Sequence, residues 1–255
     1  MRPASHPKSL SRDKDSSTVA QTKSNAKRKY KGAGAKISIY NPRVQPLQLS
    51  SAQIKIQNGG DSIQVGWTVN PTLYGDNRTQ LFTFLNTSAS QCYNTRCPGF
   101  IITNTKIPLD AVLEPISQRG GPQYEWGFFI YREDYSGTWW LVMGPDNTKI
   151  GFWPQSIFSG LADLGTYVEW GGEVASVQGI PSPEMGTGDF PTGDTKFDAF
   201  CRDVVIVNEF NFTTRATTIT EPFSDDPNYY KVQDERFTDF GHQVLFGGFG
   251  GIIAH

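Results

Sequence analysis

Ala52-Gln53-Ile54-Lys55-Ile56-Gln57-Asn58-Gly59-Gly60-Asp61-Ser62-Ile63-Gln64-Val65-Gly66-Trp67-Thr68-Val69 is the stretch that decides the fold. Two short segments, 52–57 and 62–69, flank Asn58-Gly59-Gly60-Asp61, whose residues accept the positive φ of a tight hairpin turn. In the second segment Ile63, Val65, Trp67 and Val69 alternate with Gln64, Gly66 and Thr68. Successive strand residues point to opposite faces, so the apolar set marks a core face. Gln64 then stands on the other face, which is polar, solvent-facing or cleft-lining.

The same texture extends outward from residue 35. Short segments rich in Val, Ile, Thr and aromatics fall at 35–40, 81–86, 100–105, 124–131, 138–143, 166–169, 173–178, 204–207, 211–219 and 243–246. Gly, Pro, Asn and Asp separate them, as in the turn Gly144-Pro145-Asp146-Asn147. Such spacing predicts an all-β fold, an antiparallel β-sandwich. One short helix is expected over 155–161 behind Pro154, and 224–239 reads as a long acidic loop. The 255 residues suit one large domain. With 26 Gly and 16 Pro interrupting it, the chain is no helical bundle. No apolar run reaches the length of a transmembrane helix.

Charge is unevenly placed. Residues 1–36 carry ten Lys or Arg against Asp13 and Asp15, while the remainder carries 13 basic and 23 acidic residues. A body with a net charge of −10 is a poor partner for nucleic acid. Residues 1–27 read as a flexible basic leader, and 28–255 as the folded domain. The start lacks the apolar core of a signal peptide, so a secreted form is expected to need an N-terminal extension. The three histidines, His6, His242 and His255, form no ligand-spaced group, and no phosphate loop or Gly-x-Ser-x-Gly elbow occurs. Neither a metal nor another cofactor is expected.

Several ordered segments resemble the neprosin family of plant glutamic endopeptidases that cleave after proline. They are Ile37-Ser38-Ile39-Tyr40-Asn41-Pro42; Ile63-Gln64-Val65-Gly66-Trp67 with Asn70-Pro71-Thr72-Leu73-Tyr74-Gly75-Asp76; Cys92-Tyr93-Asn94 with Cys97-Pro98-Gly99-Phe100; Gly151-Phe152-Trp153-Pro154; Val168-Glu169-Trp170-Gly171-Gly172-Glu173-Val174; and Met185-Gly186-Thr187-Gly188-Asp189-Phe190. The resemblance implies a β-sandwich like that of glutamic peptidases, a proline-containing peptide or protein substrate, and a secreted, cell-wall or vacuolar location. It also implies a Cys92–Cys97 disulfide. Family members often pair a cysteine at the place of Cys201 with one near the C-terminus; here Cys201 is either a buried thiol or the partner of a cysteine beyond His255. Asn77, Asn86 and Asn211 are glycosylation acceptors if the chain enters the secretory path.

At the catalytic position the chain departs from the family. The family's second glutamate aligns with Glu173, but its first aligns with Gln64, which neither takes nor delivers a proton. A Gln–Glu pair is still chemically workable, and the eqolisin glutamic peptidases work with one. Glu173 would act as general base and then acid. The Gln64 amide would donate to the oxyanion. The rival reading is an inactive module that binds proline-rich polypeptide. For the substrate cleft, Gly171 and Gly172 admit a peptide backbone, and Trp170, Trp139, Trp140 and Tyr124 are candidates to line it.

Overall fold

The computed structural model describes residues 14–25 and 27–251. Its strands are β1 (Lys14–Thr22), β2 (Tyr30–Ser38), β3 (Gln48–Asn58), β4 (Asp61–Val69), β5 (Thr79–Asn86), β6 (Gln91–Tyr93), β7 (Ile101–Ile102) and β8 (Glu125–Arg132). They continue as β9 (Trp139–Met143), β10 (Thr148–Trp153), β11 (Tyr167–Ser176), β12 (Ala199–Asn208), β13 (Thr213–Arg215), β14 (Thr220–Ser224), β15 (Lys231–Thr238) and β16 (Gly241–Gly247). One helical turn, α1 (Pro71–Tyr74), follows β4, with Asn70 capping its start through the Leu73 N–H and Gly75 ending it at φ 83°.

Two antiparallel sheets result. The seven-stranded sheet has the order β14-β1-β11-β3-β4-β5-β6; the nine-stranded sheet runs β15-β16-β12-β2-β8-β9-β10-β7, with β13 beside β12. Ile63, Val65, Trp67, Ile54, Ile56, Val168, Trp170 and Val174 of the first sheet share one buried cluster with Ile37, Phe128, Ile130, Leu141 and Phe246 of the second. Trp67 ties the layers together, its indole N–H donating to the Ser38 carbonyl at 2.8 Å. The core face expected from the period-two pattern is thus the inner face of a sandwich.

Several expectations change. The leader expected to reach residue 27 contributes residues 14–22 as β1, wedged between β11 and β14; residues 1–13 lie outside the described ones. Segments 166–169 and 173–178 are one strand, β11, which runs through Gly171-Gly172 because β1 and β3 pair with it on both sides. The loop expected over 224–239 holds β15, an edge strand whose outer side tolerates polar residues. The helix expected over 155–161 shrinks to a single 3-10 turn at Gln155–Ile157. Beyond that turn the Asp61 carboxylate takes the N–H groups of Ser159, Gly160 and Leu161, so the chain cannot continue as a helix.

The edge formed by β15 and β16 holds a buried ionic group. Asp234 accepts from Thr220 Oγ1 at 2.9 Å and lies 2.5 Å from His242 Nε2, with Arg236 3.1 Å away. Burial pushes the Asp234 carboxyl up, but the bond and charge of His242, with Thr220 and Arg236, outweigh it and leave its pKa below the ordinary value. A carboxyl depressed in the folded state stabilises fully above its unfolded pKa of about 3.9 and loses that contribution as pH falls through the folded value. Asp234→Asn is therefore expected to lower the melting temperature at pH 6 and to shrink the further loss of stability below about pH 4, measured by thermal melts across pH.

Candidate active site

The outer face of the seven-stranded sheet carries three transverse rows. Gln64, Lys55, Glu169 and Gln21 are register partners across β4, β3, β11 and β1. Gly66, Gln53, Gly171 and Val19 form the next row, and Thr68, Ser51, Glu173 and Ser17 the third. The two glycines on either side of Gln53 leave the middle row low there, between Lys55 and Ser51 of the flanking rows. Gln64, Gln53 and Glu173 consequently follow one diagonal, with Gln53 in the middle.

The central polar groups are buried, while Lys55, Gln21 and Ser17 are half-buried. Gln53 is 0%, Glu169 3%, and Gln64 and Glu173 5% exposed. Polar groups this buried need partners. Gln53 Nε2 donates to Glu173 Oε2 at 3.0 Å, and Ser51 Oγ donates to the Glu173 carbonyl at 3.1 Å. Among the described residues the Oε1 atoms of Gln53 and Gln64 have no hydrogen-bond partner. Glu169 meets the Tyr167 hydroxyl at 2.5 Å and Lys55 Nζ at 3.6 Å. Burial raises its carboxyl above the ordinary range; Lys55 and the Tyr167 bond pull it down, while Glu173 pushes it up.

Gly171 is required where it stands. It sits at φ 148°, and a Cβ there would lie 2.5 Å from the Thr18 carbonyl and 2.8 Å from Val19 Cα. Its bare backbone lets β1 close against β11 beside the two carboxylates.

The structure sorts the expected cleft residues. Gln64, Gly171 and Glu173 share the polar face. Trp170 and Gly172 do not: they alternate with Glu173 along β11 and face the core, Trp170 fully buried and Gly172 under Met185. Trp139 is in the core of the other sheet. Trp140 is on that sheet's outer side against Phe152 at 4.8 Å, with Lys149 over its ring. Tyr124 lines a surface groove of about 640 Å³ with Arg78, Glu114 and Pro115, which contains none of the residues of the carboxylate face. Large aromatics were the wrong cue, because period two and burial decide which side each ring takes.

Two features were missed. Gln53 alternates with Ala52, Ile54 and Ile56 as Gln64 alternates with its neighbours, so the same pattern could have found it. Phe84 is the register partner of Gln64 and Phe82 that of Gly66, which places both rings on the polar face. Tyr93 of β6 packs on them, 4.7 Å from Phe84 and 6.0 Å from Phe82. A disulfide between Cys92 and Cys97 closes the loop beside Tyr93, and Asn94 anchors it by accepting from the Thr83 N–H. Cys201 is a buried thiol whose pKa burial raises. Asn77 and Asn211 are exposed, and Asn86 is half-buried.

Among the described residues no group of three or more His, Cys, Asp or Glu is arranged to hold a metal ion. Among the same residues no helix is long and apolar enough to cross a membrane. Among solved structures, a scytalidoglutamic peptidase crystallised with a peptide-based transition-state analogue is similar at a TM-score of 0.49 and 8% identity, over 91% of this chain and 97% of that one. The family model described as Neprosin matches residues 46–249, and the chain therefore belongs to the Neprosin family.

Proposed function

We propose that this protein is a glutamic-type endopeptidase that hydrolyses proline-containing peptides, with Glu173 as general base and acid and Gln64 as oxyanion donor. Family membership supports the peptidase-type chemistry. The observation that carries the residue assignment is the diagonal of Gln64, Gln53 and Glu173 on one buried polar face. Glu173 takes a proton from water as the water oxygen bonds to the scissile carbonyl carbon, and the carbonyl π pair moves onto oxygen. A Gln64 amide N–H faces that oxyanion. When the C–N bond breaks, the leaving nitrogen takes the proton from Glu173. Gln53 holds the base: its amide fixes one carboxylate oxygen.

The aromatic wall of Phe82, Phe84 and Tyr93 beside Gln64 offers an apolar surface for a proline ring. The Cys92–Cys97 disulfide and the exposed Asn77 and Asn211 support a secretory, oxidising compartment.

The test is incubation of purified protein with proline-containing peptides from pH 3 to 7, with cleavage sites mapped by mass spectrometry. Cleavage after proline at acidic pH is expected, and an inert wild type would overturn the reading. Tyr93→Ala is expected to raise KM for proline substrates about tenfold, the loss of one apolar pocket contact, with kcat less affected. Steady-state kinetics on matched Pro and Ala peptides would measure it.

A further inference from the structure

Resting on that reading of the face, we propose that Glu169 is the second carboxylate of the site, a positioning residue whose protonation is electrostatically coupled to Glu173 along β11. Glu169 lies in the same transverse row as Gln64, across Lys55. Glu169 and Glu173 point to one side of one strand with only Gly171 between them on that face, so no side chain of β11 separates their carboxyl groups. Both are nearly fully buried.

The surroundings of Glu169 favour its protonated form. The single hydrogen of the Tyr167 hydroxyl faces two acceptors, Gln21 Oε1 at 3.0 Å and Glu169 Oε2 at 2.5 Å. The Gln21 amide is oriented by its Nε2, which donates to Glu221 at 3.4 Å. Donation from Tyr167 to Glu169 favours the ionised form; when Tyr167 donates to Gln21 instead, its oxygen accepts from Glu169, which then carries a proton. Lys55 from β3 opposes this, 3.6 Å from the other carboxyl oxygen. Glu173 on the same strand supports it by like-charge repulsion, as burial does. Gln21 of β1 and Gln64 of β4 are uncharged, and Glu221 of β14 lies beyond Gln21.

The active form is then neutral Glu169 beside ionised Glu173. Raising the pH removes the Glu169 proton, places two negative charges on one buried face, and ends the working range. The experiment follows the Glu169 side-chain carboxyl by ¹³C NMR titration in wild type and Glu173→Gln, alongside kcat/KM against pH for wild type, Glu169→Gln and Lys55→Met. A Glu169 midpoint that falls in Glu173→Gln, an alkaline limb absent in Glu169→Gln, and a limb moved to higher pH in Lys55→Met are expected. A Glu169 midpoint unchanged by Glu173→Gln would overturn the proposal. The titration is read without turnover, so an inactive wild type with coupled carboxyls would refute the peptidase reading and leave the coupling standing.

Discussion

Glu173→Gln is expected to lower kcat/KM on a proline-containing peptide by about 10²–10⁴-fold, the range that a positioned general acid–base group supplies. That corresponds to roughly 3–5.5 kcal/mol of lost transition-state stabilisation. The substitution conserves shape: a glutamine at this place can turn its carbonyl oxygen to Gln53 Nε2 and keep the 3.0 Å bond. The bond from Ser51 goes to the backbone carbonyl and is untouched. Melting temperature and circular dichroism should therefore stay near wild type while turnover collapses. Gln64→Glu is the companion measurement. An inert wild type that Gln64→Glu activates would assign the defect to the glutamine; inactivity in both, with peptide still bound, would identify a binding module.

The sequence pattern was legible wherever one strand face is dry. Ile63, Val65 and Trp67 each touch the core, so a slip of one residue would bury Gln64 among them, and the alternation permits one register. β1 was not legible, because Lys14-Asp15-Ser16-Ser17-Thr18-Val19-Ala20-Gln21-Thr22 contains only two apolar residues. Its strand conformation comes from hydrogen bonding to β11 and β14, a tertiary effect that local composition does not carry. Gly171-Gly172 misled for a related reason: glycine weakens an isolated strand, but here the neighbouring strands need the close approach.

The site was legible in part for the same reason. Period two places Gln64 and Glu173 on outward faces, but only the register across β3 shows that Gln53 lies between them and that Glu169 shares the Gln64 row. Tryptophans drew attention by size, yet Trp67, Trp139, Trp153 and Trp170 are all core residues. The smaller Phe82 and Phe84 alternate with Leu81, Thr83 and Leu85, and that alternation was the available cue to the aromatic wall.

Asp61→Ala is expected to destabilise the fold by about 3–5 kcal/mol, since each buried donor left without a partner costs about 1–3 kcal/mol. Asp61 is fully buried at the start of β4. Its Oδ2 accepts from the N–H groups of Ser159 and Gly160 at 2.6 Å and of Leu161 at 3.1 Å, with Ser159 Oγ also in contact at 3.2 Å. Alanine strands three backbone donors at once, and no neighbouring side chain replaces them among the described residues. The damage reaches the site because this loop is linked to both sheets: the Leu161 carbonyl accepts from the Trp139 indole at 2.7 Å, while the Gly160 carbonyl accepts from Asn58 in the hairpin turn at 2.9 Å. Loosening that turn frees the β3–β4 register three residues from Gln64. Asp61→Asn keeps one acceptor oxygen but turns an NH₂ group toward donors, so its loss should fall between wild type and alanine. Urea denaturation should show the midpoint falling in that order with the slope unchanged. For a domain whose whole stability is about 5–15 kcal/mol, the alanine variant removes a large fraction of it. A midpoint within error of wild type would mean that the three donors find water as readily as they find Asp61.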